Sequence, residues 1–249
     1  DFLGVPRGGR ALVVGCGRSA LSHKLADQGW FSDVLSMDCD PSVIEAMRNN
    51  APHLQWICAD SCSLEGMTCG LQEFSLEVAA GGAFDAVIDK GTLDAVLCED
   101  NKAAGLLCEC YRALRPGGAY LCVSLRDRAY LDHLLGEECP CDWGYKAFPV
   151  PGPKGEAFIV ALLRKPAKGA KQPDLEAMQE HCVAASDAFF AGESPLLTVE
   201  REAAVRSAFG DADLALPDAF ELLFTEAEKE EYKLDDFLQD AAVTGNARA

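Results

Sequence analysis

Residues 11–19 read ALVVGCGRS, and this stretch decides which fold the sequence predicts. Four apolar residues run into two closely spaced glycines, Gly15 and Gly17, as in a buried strand that ends in a tight turn. Leu21 and Leu25 then lie four residues apart, on one face of a predicted helix. Because glycine lets the backbone turn sharply and approach a ligand, this strand–turn–helix pattern predicts a binding site.

The same alternation of strands and helices continues to residue 165. We expect strands at residues 11–15, 33–38, 54–60, 84–89 and 119–125, and two closing strands at 143–150 and 157–164 around the turn PGPKG. We expect helices at residues 19–29, 41–50 and 103–114, the last ending at the sequence RPGG. Apolar strands that alternate with helices lie in a parallel sheet covered on both faces, so the sequence predicts an α/β fold.

Acidic residues stand at the carboxyl ends of three predicted strands. These are Asp38, Asp60 and Asp89, and Gly15 ends the first strand in the same way. Ligands of open α/β sheets bind at this edge, and an acid after the second strand can accept hydrogen bonds from both hydroxyls of a ribose. Each aspartate alone is more typical of a cap or a turn than of a binding site, but together they predict a nucleoside-type site.

Composition narrows the classes of function. The 249 residues are 49% hydrophobic and 25% charged, which is typical of a globular protein. The net charge of −18 disfavours binding to nucleic acid and is compatible with a basic protein partner or with solubility alone. The longest wholly apolar stretch, 157–163, is far shorter than the ~20 residues of a membrane span, and we expect no leader peptide.

The twelve cysteines are irregularly spaced. No CxxC pair occurs, and the nearest approaches are the CxC pairs Cys108/Cys110 and Cys139/Cys141, so we expect no structural metal site. Some cysteines lie in apolar runs, such as Cys122 in AYLCVSL, where the thiol behaves as a small hydrophobe. We expect free thiols in a reducing compartment, the cytoplasm or an organelle matrix.

The composition changes after residue 165. Residues 166–249 contain 7 Lys and Arg against 18 Asp and Glu. A linker, PAKGAKQPD, precedes predicted helices at 173–191, 198–209 and 216–242. We therefore expect two units, an α/β domain at 1–165 and a separable acidic helical extension at 166–249. The last predicted helix of the extension has an apolar stripe, which either packs on the domain or docks a protein partner.

Five segments in order, VVGCGRS, VLSMD, CAD, FDAVIDKGTLDA and LRPGGAYLCVSL, resemble those of the class I S-adenosylmethionine-dependent methyltransferases. The stretch DKGTLDA, residues 89–95, is more specific. It resembles the signature of the seven-strand protein lysine methyltransferases that modify elongation factor 1-alpha, with a citrate-synthase methyltransferase as close kin. The resemblance covers residues 10–165 and implies a Rossmann-like, doubly wound, mostly parallel seven-stranded sheet with S-adenosylmethionine as cofactor.

The resemblance also implies which residues bind that cofactor. Among them, Gly15 and Gly17 contact the methionine part, Asp38 contacts the ribose, and Lys90 lies beside the cofactor. Cys39, Asp60 and Ser61 flank the adenine. The full set is Gly15, Cys16, Gly17, Ser19, Asp38, Cys39, Asp60, Ser61, Asp89 and Lys90.

Methyl transfer from a sulfonium is an in-line displacement that depends on positioning and on a desolvated site. A lysine acceptor must be neutral, so we expect Asp89 to orient its amine, with Thr92 and Asp94 as pocket wall. Asp94 is equally well interpreted as a residue of the helix start. The apolar stem of the lysine would lie against Leu93, Ala95 and Val96.

Two departures from the family leave an alternative open. Only residues 1–10 precede the first strand, so the family's aromatic segment ahead of the glycine turn is expected to be missing or replaced. The acidic extension has no counterpart in the family. The favoured hypothesis is a lysine methyltransferase acting on a basic protein, and the alternative is a non-catalytic subunit of a larger assembly. A dehydrogenase is disfavoured because the turn lacks the third glycine of GxGxxG.

Overall fold

The structure, a computed structural model, describes residues 7–63, 82–97, 102–136, 138–151 and 157–192. The strands in these ranges are β1 (Gly9–Val14), β2 (Phe31–Asp38), β3 (Gln55–Cys58), β4 (Phe84–Lys90), β5 (Leu114–Ser124), β6 (Gly144–Pro151) and β7 (Ala157–Arg164). The helices are α1 (Leu21–Asp27), α2 (Pro41–Asn50), α3 (Thr92–Val96), α4 (Lys102–Ala113), α5 (Arg128–Leu135) and α6 (Leu175–Ala191).

The seven strands form a single sheet in the order β3-β2-β1-β4-β5-β7-β6. The first five strands of the chain are parallel, whereas β7 runs antiparallel to both β5 and β6. The chain begins at the centre with β1, winds outward to β3 and returns to β4 on the other side of β1. The predicted doubly wound, mostly parallel seven-stranded sheet is confirmed, and its strand order reverses between β1 and β4, where such sheets bind ligands.

Alternation along β1 shows why both faces of the sheet are covered. Leu12 and Val14 belong to one buried cluster, together with apolar side chains of α4, α5 and α6. Ala11 and Val13 belong to a second cluster, together with apolar side chains of α1 and α2. Because successive residues of a strand point to opposite faces, the continuous apolar run ALVV needs helices on both sides.

The junction between α4 and β5 differs from the prediction. The sequence RPGG was expected to follow the end of a helix, but it lies within β5, which begins at Leu114. The register of β5 against β4 jumps at this point, so residues 115–118 bulge out of the sheet. The Nζ of Lys165 donates hydrogen bonds of 2.8 and 2.7 Å to the carbonyls of Tyr111 and Leu114, which satisfies two buried acceptors at the junction of α4 and β5.

The short helix α5 was not predicted, and α3 was indicated only by the interpretation of Asp94 as a residue of a helix start. Helix α5 begins after Asp127, whose side chain accepts a 2.7 Å hydrogen bond from the backbone N–H of Ala129. It buries Leu131, Leu134 and Leu135. The capping aspartate and the spacing of these leucines were the available signals.

Helix α6 packs on the same core as the sheet. Met178 is fully buried and Ala185 is 4% exposed, both in the cluster that includes α4 and α5. The Nε2 of His181 lies 2.9 Å from the carbonyl oxygen of Leu134 in α5. The division into domains at residue 165 stays a prediction, and this packing favours a boundary beyond α6. The helices predicted at 198–209 and 216–242 lie outside the described residues.

Truncation of Met178 tests whether α6 belongs to the core. We expect Met178→Ala to lower the free energy of unfolding by about 2–4 kcal/mol, because it removes a buried side chain and leaves a cavity. Val183 on the same helix is 60% exposed, so Val183→Ala should change stability by less than about 0.5 kcal/mol. Denaturant unfolding of the two variants measures both values. Equal effects would show that α6 does not contribute to the core.

The ten cysteines that the structure describes are free thiols. Within the described ranges, no group of three or more His, Cys, Asp or Glu side chains is placed to hold a metal ion. In the same ranges, every helix is too short or too polar to cross a membrane.

Candidate cofactor site

A cleft of about 380 Å³ opens at the carboxyl ends of the strands, where β1 and β4 part. This volume is within the range of small-molecule sites. The lining residues come from the last residues of β2 and β4, from the turns and loops that follow β1, β2, β3 and β4, from α3 and from the start of α4. They are Gly15, Asp38, Cys39, Asp60, Ser61, Cys62, Lys90, Gly91, Thr92, Ala95, Val96 and Lys102.

The glycine turn after β1 is held against the start of α3. The hydroxyl of Thr92 donates a 2.9 Å hydrogen bond to the carbonyl of Val14, next to Gly15. Gly15 has a φ of +54°, and a Cβ built on it would lie 2.1 Å from Oγ1 of Thr92. Glycine is therefore required here twice, for its left-handed backbone and for its close approach to Thr92.

Asp38 joins the glycine turn to the end of β2. Its Oδ2 accepts a 2.8 Å hydrogen bond from the backbone N–H of Gly17, and its Oδ1 accepts a 3.0 Å bond from that of Asp40. A carboxylate has about four acceptor positions, so these two bonds leave further acceptor capacity on the cleft side. The arrangement suits donors such as the hydroxyls of a sugar.

The loop after β3 forms another side of the cleft. The backbone N–H of Ala59 donates a 3.0 Å hydrogen bond to the carbonyl of Asp38, and Oδ1 of Asp60 accepts a 2.8 Å bond from the N–H of Cys62. A Cβ built on Gly105 of α4 would lie 2.0 Å from the carbonyl oxygen of Cys62, so α4 supports this loop at backbone contact distance.

The structure brings most of the predicted cofactor residues together. Gly15, Asp38, Cys39, Asp60, Ser61 and Lys90 line the cleft, and so does the predicted wall residue Thr92. Other predicted residues support the turn from behind it. Gly17 binds Asp38 through its backbone, Cys16 is 5% exposed and lies in the core, and the Oγ of Ser19 accepts a 3.2 Å hydrogen bond from the N–H of Leu21 at the start of α1.

Asp89 does not line the cleft. Its carboxylate is fully buried and accepts hydrogen bonds from the backbone N–H groups of Thr92 at 2.7 Å and Leu93 at 3.1 Å, and from the hydroxyl of Tyr120 at 2.8 Å. Burial raises the pKa of Asp89 to about 7, although these three donors oppose the shift. This position suits a carboxylate that holds the start of α3 in place better than one that orients a substrate amine, which was the predicted role of Asp89.

Asp94 also bonds within the fold. Its carboxylate accepts hydrogen bonds from the hydroxyl of Ser124 and, at 2.7 Å, from the backbone N–H of Leu125, which ties α3 to the end of β5. The helix-start interpretation of Asp94 fits this position better than that of a pocket wall. Leu93, predicted as a wall of the acceptor channel, is fully buried in the core, whereas Ala95 and Val96 line the cleft.

Three cleft residues were not predicted: Cys62, Gly91 and Lys102. Gly91 has a φ of +84° and precedes α3, so a glycine directly after a strand was its signal. Lys102 belongs to α4, which follows a stretch where the sequence pattern predicted no element, and no local signal pointed to it.

Comparison with known proteins finds similarity to methyltransferases. Residues 12–122 match the family model of a methyltransferase domain. The chain is 32% identical over 150 residues to the eEF1A lysine and N-terminal methyltransferase of Mus musculus, covering 57% of this chain and 20% of that protein. It is 33% identical over 129 residues to EEF1A lysine methyltransferase 4 of Mus musculus, covering 46% of this chain and 45% of the relative. The chain thus spans from a fifth to under half of the length of these relatives.

A solved structure has the same fold. It is phosphoethanolamine N-methyltransferase 1 of Haemonchus contortus, with a TM-score of 0.53 and 14% identity, covering 75% of this chain and 44% of that one. The likeness supports the Rossmann-like methyltransferase fold. The match of residues 12–122 to the model of a methyltransferase domain indicates S-adenosylmethionine as the cofactor.

Proposed function

We propose that the protein transfers the methyl group of S-adenosylmethionine to a lysine side chain of another protein, with elongation factor 1A as the first candidate. The observation that carries this proposal is the identity of 32% over 150 residues and of 33% over 129 residues to two relatives named as eEF1A lysine methyltransferases. The alternative, a non-catalytic subunit, has less support because the cleft is formed and lined by polar groups.

The cleft suggests how the cofactor would lie. We place the methionine part over the turn at Gly15, where no side chain separates a ligand from the backbone. Asp38 has acceptor capacity left for the ribose hydroxyls, and Cys39 and Ser61 would flank the adenine. Lys90 supplies positive charge at the end of β4, beside the proposed methionine part.

The acceptor lysine would enter between α3 and the cofactor. Its long apolar stem suits Ala95 and Val96, which line the cleft one helical turn after Gly91. We assign Asp89 and Asp94 to positioning, because their carboxylates bond to the backbone around α3. Transfer then depends on holding a neutral amine in line with the sulfonium in a desolvated site.

The proposal is tested by incubating the protein with labelled S-adenosylmethionine and purified elongation factor 1A, then locating the label by mass spectrometry. Label on a lysine supports the proposal, whereas label on arginine, glutamine or a small molecule would contradict it. Micromolar binding of S-adenosylhomocysteine without any transfer would favour the non-catalytic subunit.

The net charge of −18 supports a basic protein partner. Opposite net charges accelerate encounter at low ionic strength, so methylation of such a partner should slow as salt is added. We also propose a cytoplasmic location, since the described cysteines are free thiols, as expected in a reducing compartment.

Replacing Asp38 tests the placement of the ribose. We expect Asp38→Ala to weaken binding of S-adenosylhomocysteine by on the order of 1–3 kcal/mol, because it removes the acceptor and frees the N–H of Gly17. Asp40→Ala is the matched control. It removes the cap of α2, where Oδ1 of Asp40 accepts a 2.8 Å bond from Ser42, and should lower stability without changing affinity. Calorimetric titration of the wild type and both variants with S-adenosylhomocysteine measures these affinities. If Asp38→Ala binds as tightly as the wild type, the ribose lies elsewhere.

A further inference from the structure

One buried face of the sheet lies far from the helices that share its core. Leu121 and Val123 of β5 and Val160 and Leu162 of β7 are 1–3% exposed. They belong to the buried cluster that also contains apolar side chains of α1 and α2. Leu121 pairs with Leu162 and Val123 pairs with Val160, so the four side chains form one continuous apolar surface. We call this surface the β5–β7 face.

The described helices do not reach the β5–β7 face. Helix α1 packs on β2, and α2 packs on β2 and β3. In the strand order, β7 is four strands away from β2, or about 19 Å at ~4.8 Å per strand. A helix with its side chains is about 10–12 Å wide, so neither helix covers both β2 and β7. The buried apolar side chains of α3, α4, α5 and α6 belong to the cluster on the opposite side of the sheet.

The burial of this face therefore requires a part of the chain outside the described ranges. Residues 64–81 connect β3 to β4, where the chain reverses its direction across the sheet, so a right-handed crossover would run on the opposite side. Residues 193–249 are by far the longest of the remaining parts. The others hold at most six residues each: 1–6, 98–101, 137 and 152–156.

The sequence pattern of residues 216–242 fits the β5–β7 face. Apolar residues recur there at spacings of three, four and seven, as on one side of a helix: Phe220, Leu223, Phe224, Ala227, Leu234 and Leu238. A helix over 216–242 would be about 40 Å long, whereas a strand of the length of β7 spans about 26 Å. The apolar stripe is therefore long enough to cover the face.

Charge complementarity favours the same assignment. Residues 216–242 contain nine Asp and Glu against two Lys. In the sheet, Lys146 of β6 pairs with Leu162, and Arg164 follows two residues later on β7, so alternation places both cations on the side of the β5–β7 face. Acids that flank the stripe would lie near these cations. A basic protein partner would instead meet like charges there.

The chain leaves α6 at a place from which this segment can reach the face. The rings of Phe189 on α6 and Tyr130 on α5 pack edge to face, with 5.4 Å between their centroids, and α5 begins just after the carboxyl end of β5. The last turn of α6 therefore lies near the carboxyl edge of the sheet. Residues 193–215 span about 70 Å when extended, far more than the roughly 20 Å needed to pass a helix about 10 Å wide on each side of a sheet.

We propose that residues 216–242 form a helix that covers the β5–β7 face of their own chain. Of the two uses expected for the apolar stripe, packing on the domain and docking a protein partner, this assigns the first. The acidic extension is then a part of the fold of the α/β domain, and its acids outside the stripe face solvent. The inference does not depend on the proposed methyl transfer.

Cross-linking of the full chain with a carbodiimide locates the segment. This reagent joins a lysine amine to a carboxylate in direct contact with it, and Lys146 marks the side of the β5–β7 face. We expect mass spectrometry to find Lys146 linked to an Asp or Glu of residues 216–242. Lys146→Arg keeps the charge and should lose this link. If Lys146 is linked only to acids outside 216–242, or to none, the proposal is wrong.

Mixed chains distinguish a helix of the same chain from one donated by a second copy. Unlabelled and isotope-labelled protein are mixed and cross-linked together. We expect every link between Lys146 and residues 216–242 to join peptides of the same isotope. Links of mixed isotope would assign the face to a second copy and overturn the proposal.

Two neighbouring leucines of the segment provide a matched pair of variants. Leu223 belongs to the stripe, whereas Leu222 lies on the other side of the predicted helix. We expect Leu223→Ser to lower the Tm of the full chain by about 4–8 °C and to accelerate amide exchange along β7, whereas Leu222→Ser should shift the Tm by less than about 1 °C. Equal Tm values for the two variants would mean that the stripe is left for a protein partner, contrary to the proposal.

Discussion

Gly15→Ala is expected to abolish measurable cofactor binding and to lower the free energy of unfolding by about 3 kcal/mol. The φ of +54° disfavours any side chain, and the new Cβ would lie 2.1 Å from Oγ1 and 2.9 Å from Cβ of Thr92. Thr92 cannot move away freely, since its hydroxyl bonds to Val14 and its N–H to Asp89. Relief of the clash must therefore displace α3 from the turn and distort the cleft.

Gly17→Ala is the matched control for this prediction. Gly17 has a φ of +52°, but no atom lies within 4 Å of a Cβ built on it. The substitution should therefore cost only the strain of a left-handed residue, about 1–2 kcal/mol. Adding Thr92→Ala to Gly15→Ala removes the two nearest atoms and should recover part of the lost stability. Denaturant unfolding and calorimetric titration of the variants measure both effects, and equal losses for Gly15→Ala and Gly17→Ala would contradict the close contact.

The elements whose hydrophobic pattern is unambiguous were predicted correctly from the sequence. The central strands and α2 follow from apolar runs and from Pro41 behind its cap Asp40, both of which are local signals. The bulge at residues 115–118 was not predictable in this way. It depends on the register of β5 against β4 and on Lys165, which is far away along the chain.

The cleft residues that the sequence predicted correctly are those that the sheet itself brings to the cleft. Asp38 ends β2, Gly15 and Asp60 come just after β1 and β3, and the carboxyl ends of parallel strands meet at one edge. Asp89 also ends a strand, but its side chain turns inward because three donors surround it. Whether an acid at a strand end points to a ligand or to the backbone depends on its neighbours, which the pattern does not contain.

Asp89→Ala is expected to lower the free energy of unfolding by about 3 kcal/mol or more at pH 3.8 and below, because it leaves buried donors on Thr92, Leu93 and Tyr120 without an acceptor. Asp94→Ala is the matched control on the same helix. It removes two hydrogen bonds at a partly exposed site and should cost about 1–2 kcal/mol. A carboxylate that only oriented a substrate would give the opposite result, a loss of turnover without a loss of stability.

The pH dependence of stability provides a second measurement on the same carboxyl. Burial raises the pKa of Asp89 from the usual 3.8 to about 7, so the folded protein keeps this proton in a range where the unfolded chain has lost it. The stability that Asp89 contributes is therefore complete below pH 3.8 and is lost as the pH rises to about 7. The difference in unfolding free energy between wild type and Asp89→Ala should shrink over this window. The difference between wild type and Asp94→Ala, measured in parallel, corrects for general effects of pH. If the difference in unfolding free energy between wild type and Asp89→Ala instead grows towards pH 7, the three donors hold Asp89 ionised throughout this range.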